Sequence, residues 1–137
     1  VNDRSRLREF ASRYAAAWCS KKPAAVAEFF EPGASLTING GRPAVGRAAI
    51  AGEARAFMTA FPEMRVTFDE LVLRGKRVEF HWTLDGRNTG PGGTGKQVRI
   101  SGFEDWKMGA GGLIAESQGH FDANEYQRQI EHGTDAG

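Results

Sequence analysis

One cysteine, Cys19, is all the thiol chemistry that this chain of 137 residues contains. It can close no internal disulfide, so no cysteine framework holds the fold, and the usage fits a reducing compartment. Long apolar runs are missing as well: no stretch approaches the roughly 20 residues that a membrane-crossing helix needs. Charge of one sign is also scarce, with 18 Lys and Arg against 17 Asp and Glu and a formal net charge of +1. A phosphate-binding surface needs a basic excess, so nucleic acid is excluded as a partner, and no basic run offers a grip on an anionic membrane. The three histidines, His81, His120 and His132, stand far apart, and no HxH, HxxxH or CxxC spacing occurs. No metal site is expected from that pattern. The charged opening VNDRSRLREF has no signal-peptide character, so the expected location is cytoplasmic.

What is present is an ordinary globular composition, 40% hydrophobic and 26% charged, with enough length to bury one core. Leu7, Phe10, Ala11, Tyr14 and Trp18 recur at helical spacing and predict a first amphipathic helix, with Asn2, Asp3 or Ser5 available to cap it. Pro23 suits the first turn of a short second helix over Ala24 to Phe30, which Glu31-Pro32-Gly33 stops. Ser35 to Asn39 alternates as a short strand. A third helix is predicted from about Gly46 to Phe61, with Ile50, Ala54, Phe57, Met58 and Phe61 on one face and Pro62 closing it.

After Pro62 the period changes from helical to two. Met64, Val66 and Phe68 alternate with polar residues, and Leu71-Val72-Leu73 breaks the alternation as a bulge would. Arg74-Gly75 turns the chain into a long strand with Val78, Phe80, Trp82 and Leu84 on one face and Glu79, His81 and Thr83 on the other. Val98 to Met108 and Leu113 to Phe121 form two further strands, and Asp122 to Ile130 reads as a terminal helix or arm. Helices first and a four-strand meander afterwards is an α+β order in one domain over residues 1–137. The loop from Gly90 to Lys96 has the glycine and lysine spacing of a phosphate-binding loop. Gln97 stands where a magnesium-binding Ser or Thr is required, and a strand follows instead of a helix, so that reading fails.

The stretches FPEMRVTFDELVLRGKRVEFHWTLDGRNTGP, TGKQVRISGFEDWKM and GLIAESQGHFD resemble the SnoaL-like branch of the nuclear transport factor 2-like superfamily. RYAAAW and FFEPGASLTINGG resemble its ketosteroid isomerase-like members, so the likeness covers nearly the whole chain. The resemblance implies a cone: three N-terminal helices on a strongly curved, mostly antiparallel mixed sheet, with a cavity between them and a homodimer formed through the outer sheet face. It further implies an inward set of Leu36, Ile38, Val78, Phe80, Trp82, Glu104, Trp106, Glu116, Gln118 and His120. Tyr14, Trp18 and Phe57 would close the floor and wall. Such a cavity, mostly aromatic with a few polar groups, suits a small hydrophobic molecule and implies no cofactor.

Within that set His120 is the first candidate base, since imidazole titrates near neutrality, with Glu116 and Glu104 as carboxylate partners. Tyr14 stands where isomerase-like members carry a tyrosine that donates to a developing oxyanion. The competing reading for Tyr14 is a core aromatic in a helical stripe. Ile38 occupies the place of the isomerase proton-shuttling carboxylate, which argues against that mechanism. No Asp–Arg–Asp set of the limonene-epoxide-hydrolase type can be assembled on the inward face. His81, Phe103 and Phe121 are expected on the outer face, at the dimer contact. Three functions stay open: a cofactor-free cyclase or isomerase moving a proton next to a carbonyl, a non-catalytic binder, or a structural dimer whose cavity is filled by Trp18, Trp82 and Trp106.

Overall fold

A computed structural model describes residues 3–134. The chain forms α1 (Asp3–Trp18), α2 (Pro23–Ala27), β1 (Phe30–Ile38), β2 (Ala44–Val45) and α3 (Arg47–Ala60). It continues as β3 (Arg65–Arg74), β4 (Arg77–Arg87), β5 (Gln97–Met108), β6 (Ile114–Phe121) and α4 (Ala123–His132). Asn2, one of the three capping candidates for α1, lies outside the described residues.

The six strands form one sheet in the order β2-β1-β6-β5-β4-β3. β3 to β6 are the antiparallel meander that the change of period announces, while β1 joins β6 in parallel and makes the sheet mixed. α1 lies against β3, α3 against β1 and β2, and α4 against β5. The helical stripes bury themselves on this inner face. Ala11 and Tyr14 of α1, Ile50 and Ala54 of α3, and Phe61 just beyond it are fully enclosed. Burial of each large apolar side chain contributes about 1.5–3 kcal/mol. The helices and the concave sheet thus meet through one continuous core.

The structure departs from the sequence expectation at the first strand. The second helix ends at Ala27, and β1 begins at Phe30, before the Pro-Gly pair that was expected to precede any strand. Ile114 donates to the Phe29 carbonyl at 2.9 Å, and Phe30 is in register with Ile114. Sheet pairing therefore claims the backbone there. Residues 31–34 bulge out before the register resumes at Ser35↔Glu116.

Two further bulges reset strand parity. In β3 the register passes from Phe68↔Trp82 to Glu70↔His81, leaving Asp69 as the extra residue, two positions before the predicted Leu71-Val72-Leu73. Phe68 and Leu71 consequently share the inner face. In β6 the register passes from Met108↔Ile114 to Lys107↔Glu116, leaving Ala115 as the extra residue. Glu104 then faces Gly119, and Trp106 faces Ser117. Cross-strand partners share a face, so Ile114, Ser117, Gly119 and Phe121 point inward.

The Gly90 region is the predicted hairpin loop. A Cβ at Gly90 would run into the Thr59 carbonyl, so only glycine lets the loop lie against the end of α3. Asn88 locks the loop, donating to the Ala60 carbonyl at 3.1 Å and accepting from the Thr94 amide at 2.9 Å.

Candidate functional site

The concave side of the sheet and the helices enclose a cavity holding about 600 Å³ of atom-free space, its open mouth included. Leu36 and Ile38 of β1, Val66 of β3, Leu84 of β4 and Ile100 of β5 supply an aliphatic wall. The remainder is mostly aromatic: Trp18, Phe57, Phe80, Trp82, Phe121 and Tyr126. Gly119 leaves a gap in the wall, because a Cβ there would lie 3.9 Å from both the Glu104 Cγ and the Ile38 Cγ1. Among the described residues Glu104 is the only carboxylate lining the cavity, and no lysine, arginine or histidine joins it.

Five rings of the lining touch in sequence. Trp82 meets Phe121 edge-on at 6.0 Å, Phe121 meets Tyr126 at 5.3 Å, Tyr126 meets Phe57 at 6.4 Å, and Phe57 meets Trp18 at 6.1 Å. Edge-to-face pairs at such separations are favourable beyond the area they bury. α4 contributes Tyr126 because its start is well fixed. Asp122 caps it, accepting from the Glu125 amide at 3.0 Å, and Gln129 accepts from the Arg99 amide on β5 at 2.6 Å. The Tyr126 hydroxyl has no hydrogen-bond partner among the described residues. Burial raises its pKa, so it remains a proton donor near neutrality.

Glu104 sits 7% exposed at the inner end of the cavity. Its Oε1 accepts from the Ser117 hydroxyl at 2.7 Å, the Trp106 indole at 2.9 Å and the Tyr14 hydroxyl at 3.0 Å. Oε2 accepts only from Tyr14, also at 3.0 Å, which leaves most of its acceptor capacity unused. Burial raises the Glu104 pKa above the usual 4.5, and the donors on Trp106, Ser117 and Tyr14 oppose that shift. Tyr14 is pushed well above its ordinary value, first by burial and then by the Glu104 charge beside it. Every donor on the carboxylate is neutral, so none of them balances its charge.

The candidate residues thus divide into three groups. Glu104, Trp18, Ile38, Phe57, Phe80 and Trp82 meet in the cavity wall. Tyr14 and Trp106 are fully buried behind it, where both donate to Glu104 and Tyr14 packs on Phe80 at 5.3 Å. Neither fills the cavity, and the Tyr14 hydroxyl is committed to a carboxylate rather than aimed at a ligand. His120, Gln118 and Glu116 are the corrections: the bulge at Ala115 turns all three to the outer face. There His120 is exposed and packs on Phe103 at 4.9 Å, while Gln118 donates to Glu116 at 2.9 Å. Phe121 is corrected the other way, from the outer face to the wall. His81 and Phe103 occupy the outer face as expected, stacked at 5.3 Å. Ser117, Gly119 and Tyr126 escape the sequence reading. The first two follow from pairing β6 to Glu104 and Trp106 by register, while Tyr126 carries no periodic signal beyond its place on α4.

Among the described residues no cluster of three or more His, Cys, Asp or Glu side chains is placed to hold a metal ion. No helix among them is long and apolar enough to cross a membrane.

Helices closing a curved mixed sheet over an aromatic cavity with one buried carboxylate define a nuclear transport factor 2-like cavity protein. The SnoaL-like domain model matches residues 11–117, and the chain belongs to that family. A protein with a ketosteroid isomerase-like fold from Catenulispora acidiphila, solved in complex with trimethylamine, is 18% identical with a TM-score of 0.78, over 89% of this chain and 92% of its own. A SnoaL-like polyketide cyclase from Jannaschia is 16% identical with a TM-score of 0.74, over 90% and 93%. TsrD from Streptomyces laurentii is 18% identical with a TM-score of 0.79, over 95% and 98%. At these identities the likeness shows the fold. No curated protein sequence matches the chain.

Proposed function

We propose that the cavity binds a small hydrophobic or aromatic molecule and that Glu104 moves a proton on it without a cofactor, in a cyclase- or isomerase-like step next to a carbonyl. The observation that carries this reading is a buried carboxylate among aromatic walls, with Oε1 held by Ser117 and Trp106 and Oε2 contacted only by the Tyr14 hydroxyl, which it shares with Oε1. A carboxyl group whose pKa burial has raised exchanges protons more readily near neutrality than one in water. Oε2 is the atom that takes the proton. Tyr14, Trp106 and Ser117 act as positioning residues that fix the plane of the carboxylate. Tyr126, whose hydroxyl is uncommitted, takes the part of donor to the carbonyl oxygen that the sequence suggested for Tyr14.

The test is turnover of polyketide-like and steroid-like ketones by the purified protein and by Glu104→Gln. Turnover that falls at least about a hundredfold in the variant supports the reading, in keeping with general acid–base contributions of that size. Equal turnover in the two proteins rejects it. Binding without conversion is the second reading. It is supported by the three donors on Glu104, which weaken the carboxylate as a base. In that case ligands raise the Tm of the wild-type protein but are recovered unchanged.

The protein further acts as a homodimer through the outer sheet face, in our reading. Its centre is a row across three strands, His81, Phe103 and His120, in which His81 and Phe103 are half-buried even in the single chain. A monomeric mass in solution at micromolar concentration rejects this.

A further inference from the structure

The geometry points to a ligand that carries a positively charged, alkyl-substituted nitrogen, seated in the aromatic collar with its charge against Glu104 Oε2. This rests on the cavity being the ligand site and does not depend on turnover.

Three observations converge on the charge. First, the collar is made of rings in unbroken contact, from Trp82 through Phe121, Tyr126 and Phe57 to Trp18. The faces of such rings carry negative potential, and a cage of them selects cations, quaternary and tertiary ammonium groups above all, because these shed water readily. Second, the carboxylate at the inner end has three neutral donors and no cationic partner in the cavity wall. An unpaired buried charge is costly, and a partner that brings the opposite charge into the same low-dielectric space removes that cost. Third, the wall is otherwise almost wholly apolar. It offers no serine, threonine, asparagine or glutamine to a sugar, a carboxylate or a phosphate. An anion is repelled by Glu104, and a strongly hydrated neutral molecule finds few partners. The nitrogen's alkyl groups, by contrast, fit the aliphatic patch of Leu36, Ile38, Val66 and Leu84.

The donors behind Glu104 fit this assignment. Trp106, Ser117 and Tyr14 all present hydrogens to the carboxylate, an arrangement that favours its ionised form once a cation lies opposite. Gly119 opens the space in front of it, since any side chain there would project between Glu104 and the ligand.

The test is calorimetric titration of the full chain with two matched pairs of probes. The pairs are choline with 3,3-dimethylbutan-1-ol, and benzyltrimethylammonium with neopentylbenzene; the members of each pair share a shape and differ in charge. The expected result is a preference for the cation of about tenfold or more in the wild type, the scale of a desolvated cation–π contact. Glu104→Gln should lose most of that preference while keeping affinity for the neutral probes. Should Glu104→Gln fold poorly, Trp82→Leu, which removes one ring and leaves the carboxylate, should reduce the preference severalfold. Equal or tighter binding of the neutral members by the wild type overturns the inference and leaves the cavity reading standing. Binding of neither member of either pair overturns both.

Discussion

Tyr14→Phe deletes one oxygen from a fully buried side chain and leaves the ring in its contacts with Trp18, Phe80 and Trp106. What is lost is the pair of 3.0 Å contacts to the two oxygens of Glu104. A hydrogen bond to a charged acceptor contributes about 1.5–3 kcal/mol and a neutral one about 1 kcal/mol. The cost of the substitution should therefore depend on whether Glu104 is ionised. At high pH it approaches about 2 kcal/mol, and at low pH it falls to about 1 kcal/mol. The difference must reappear as a change in the Glu104 pKa, since one pKa unit equals about 1.4 kcal/mol. Tyr14 holds that pKa down, so its removal should raise it further. The sign for stability follows from the same linkage. Glu104 titrates higher in the folded protein than its ordinary 4.5, so its contribution to stability is full below that value and is lost as pH rises through the folded pKa. In Tyr14→Phe that loss should extend to higher pH. Urea denaturation of both proteins from pH 4 to 9, with a carbon-13 titration of the Glu104 carboxyl, reads both quantities. An equal loss of stability across the range, with an unmoved titration, would refute the coupling of Tyr14 to Glu104.

Three other substitutions separate the site from its surroundings. His120→Ala, on the outer face, should leave cavity ligands bound as before; a loss of affinity would put His120 back at the site. Gly119→Val meets only ordinary contacts at its Cβ but projects in front of Glu104, so ligand affinity should fall about tenfold or more while the urea midpoint stays close to wild type. Asp122→Ala removes the cap of α4, at a cost of about 1 kcal/mol, and amide exchange should quicken through the α4 turn that bears Tyr126. Unchanged exchange there would mean that the Gln129–Arg99 contact alone holds the helix.

The parts of the fold that were legible in the sequence are those whose period is long and uninterrupted. Tyr14 and Trp18 on one helix, and Phe80, Trp82 and Leu84 on one strand, each declare a buried face, and the structure places them there. The Glu104 position follows from the same regularity, because β4 pairs with β5 without a break from Arg77↔Lys107 to Arg87↔Gln97. Legibility fails wherever one strand spends an extra residue. Ala115 announces nothing locally and Asp69 is marked only by the broken alternation two positions on, yet each reverses the face of everything beyond it. The resemblance implies an inward His120 together with Glu116 and Gln118, whereas its pairing with Phe103 fixes it on the outer face. The start of β1 was hidden for another reason. Glu31-Pro32-Gly33 is a breaker by composition, and only pairing of Phe30 with a strand more than 80 residues away makes it part of the sheet.

The extra residue at Ala115 gives this scaffold an unusual economy of change. With it, Ile114 and the Ser117–Phe121 alternation both present their side chains to the interior. Deleting Ala115 would only regularise the strand, since Ile114, Glu116 and Ser117 would still alternate in, out and in. Absorbing the bulge at unchanged length, with the hairpin end held in place, does the opposite: Glu116, Gln118 and His120 would turn in together and supply an imidazole and a second carboxylate in one step. Three coordinated point mutations would be needed to achieve the same exchange with the bulge kept. Lineages built on this sheet can thus trade one set of interior functional groups for another by losing or moving a bulge. The difference would be almost invisible in a percentage of identical residues.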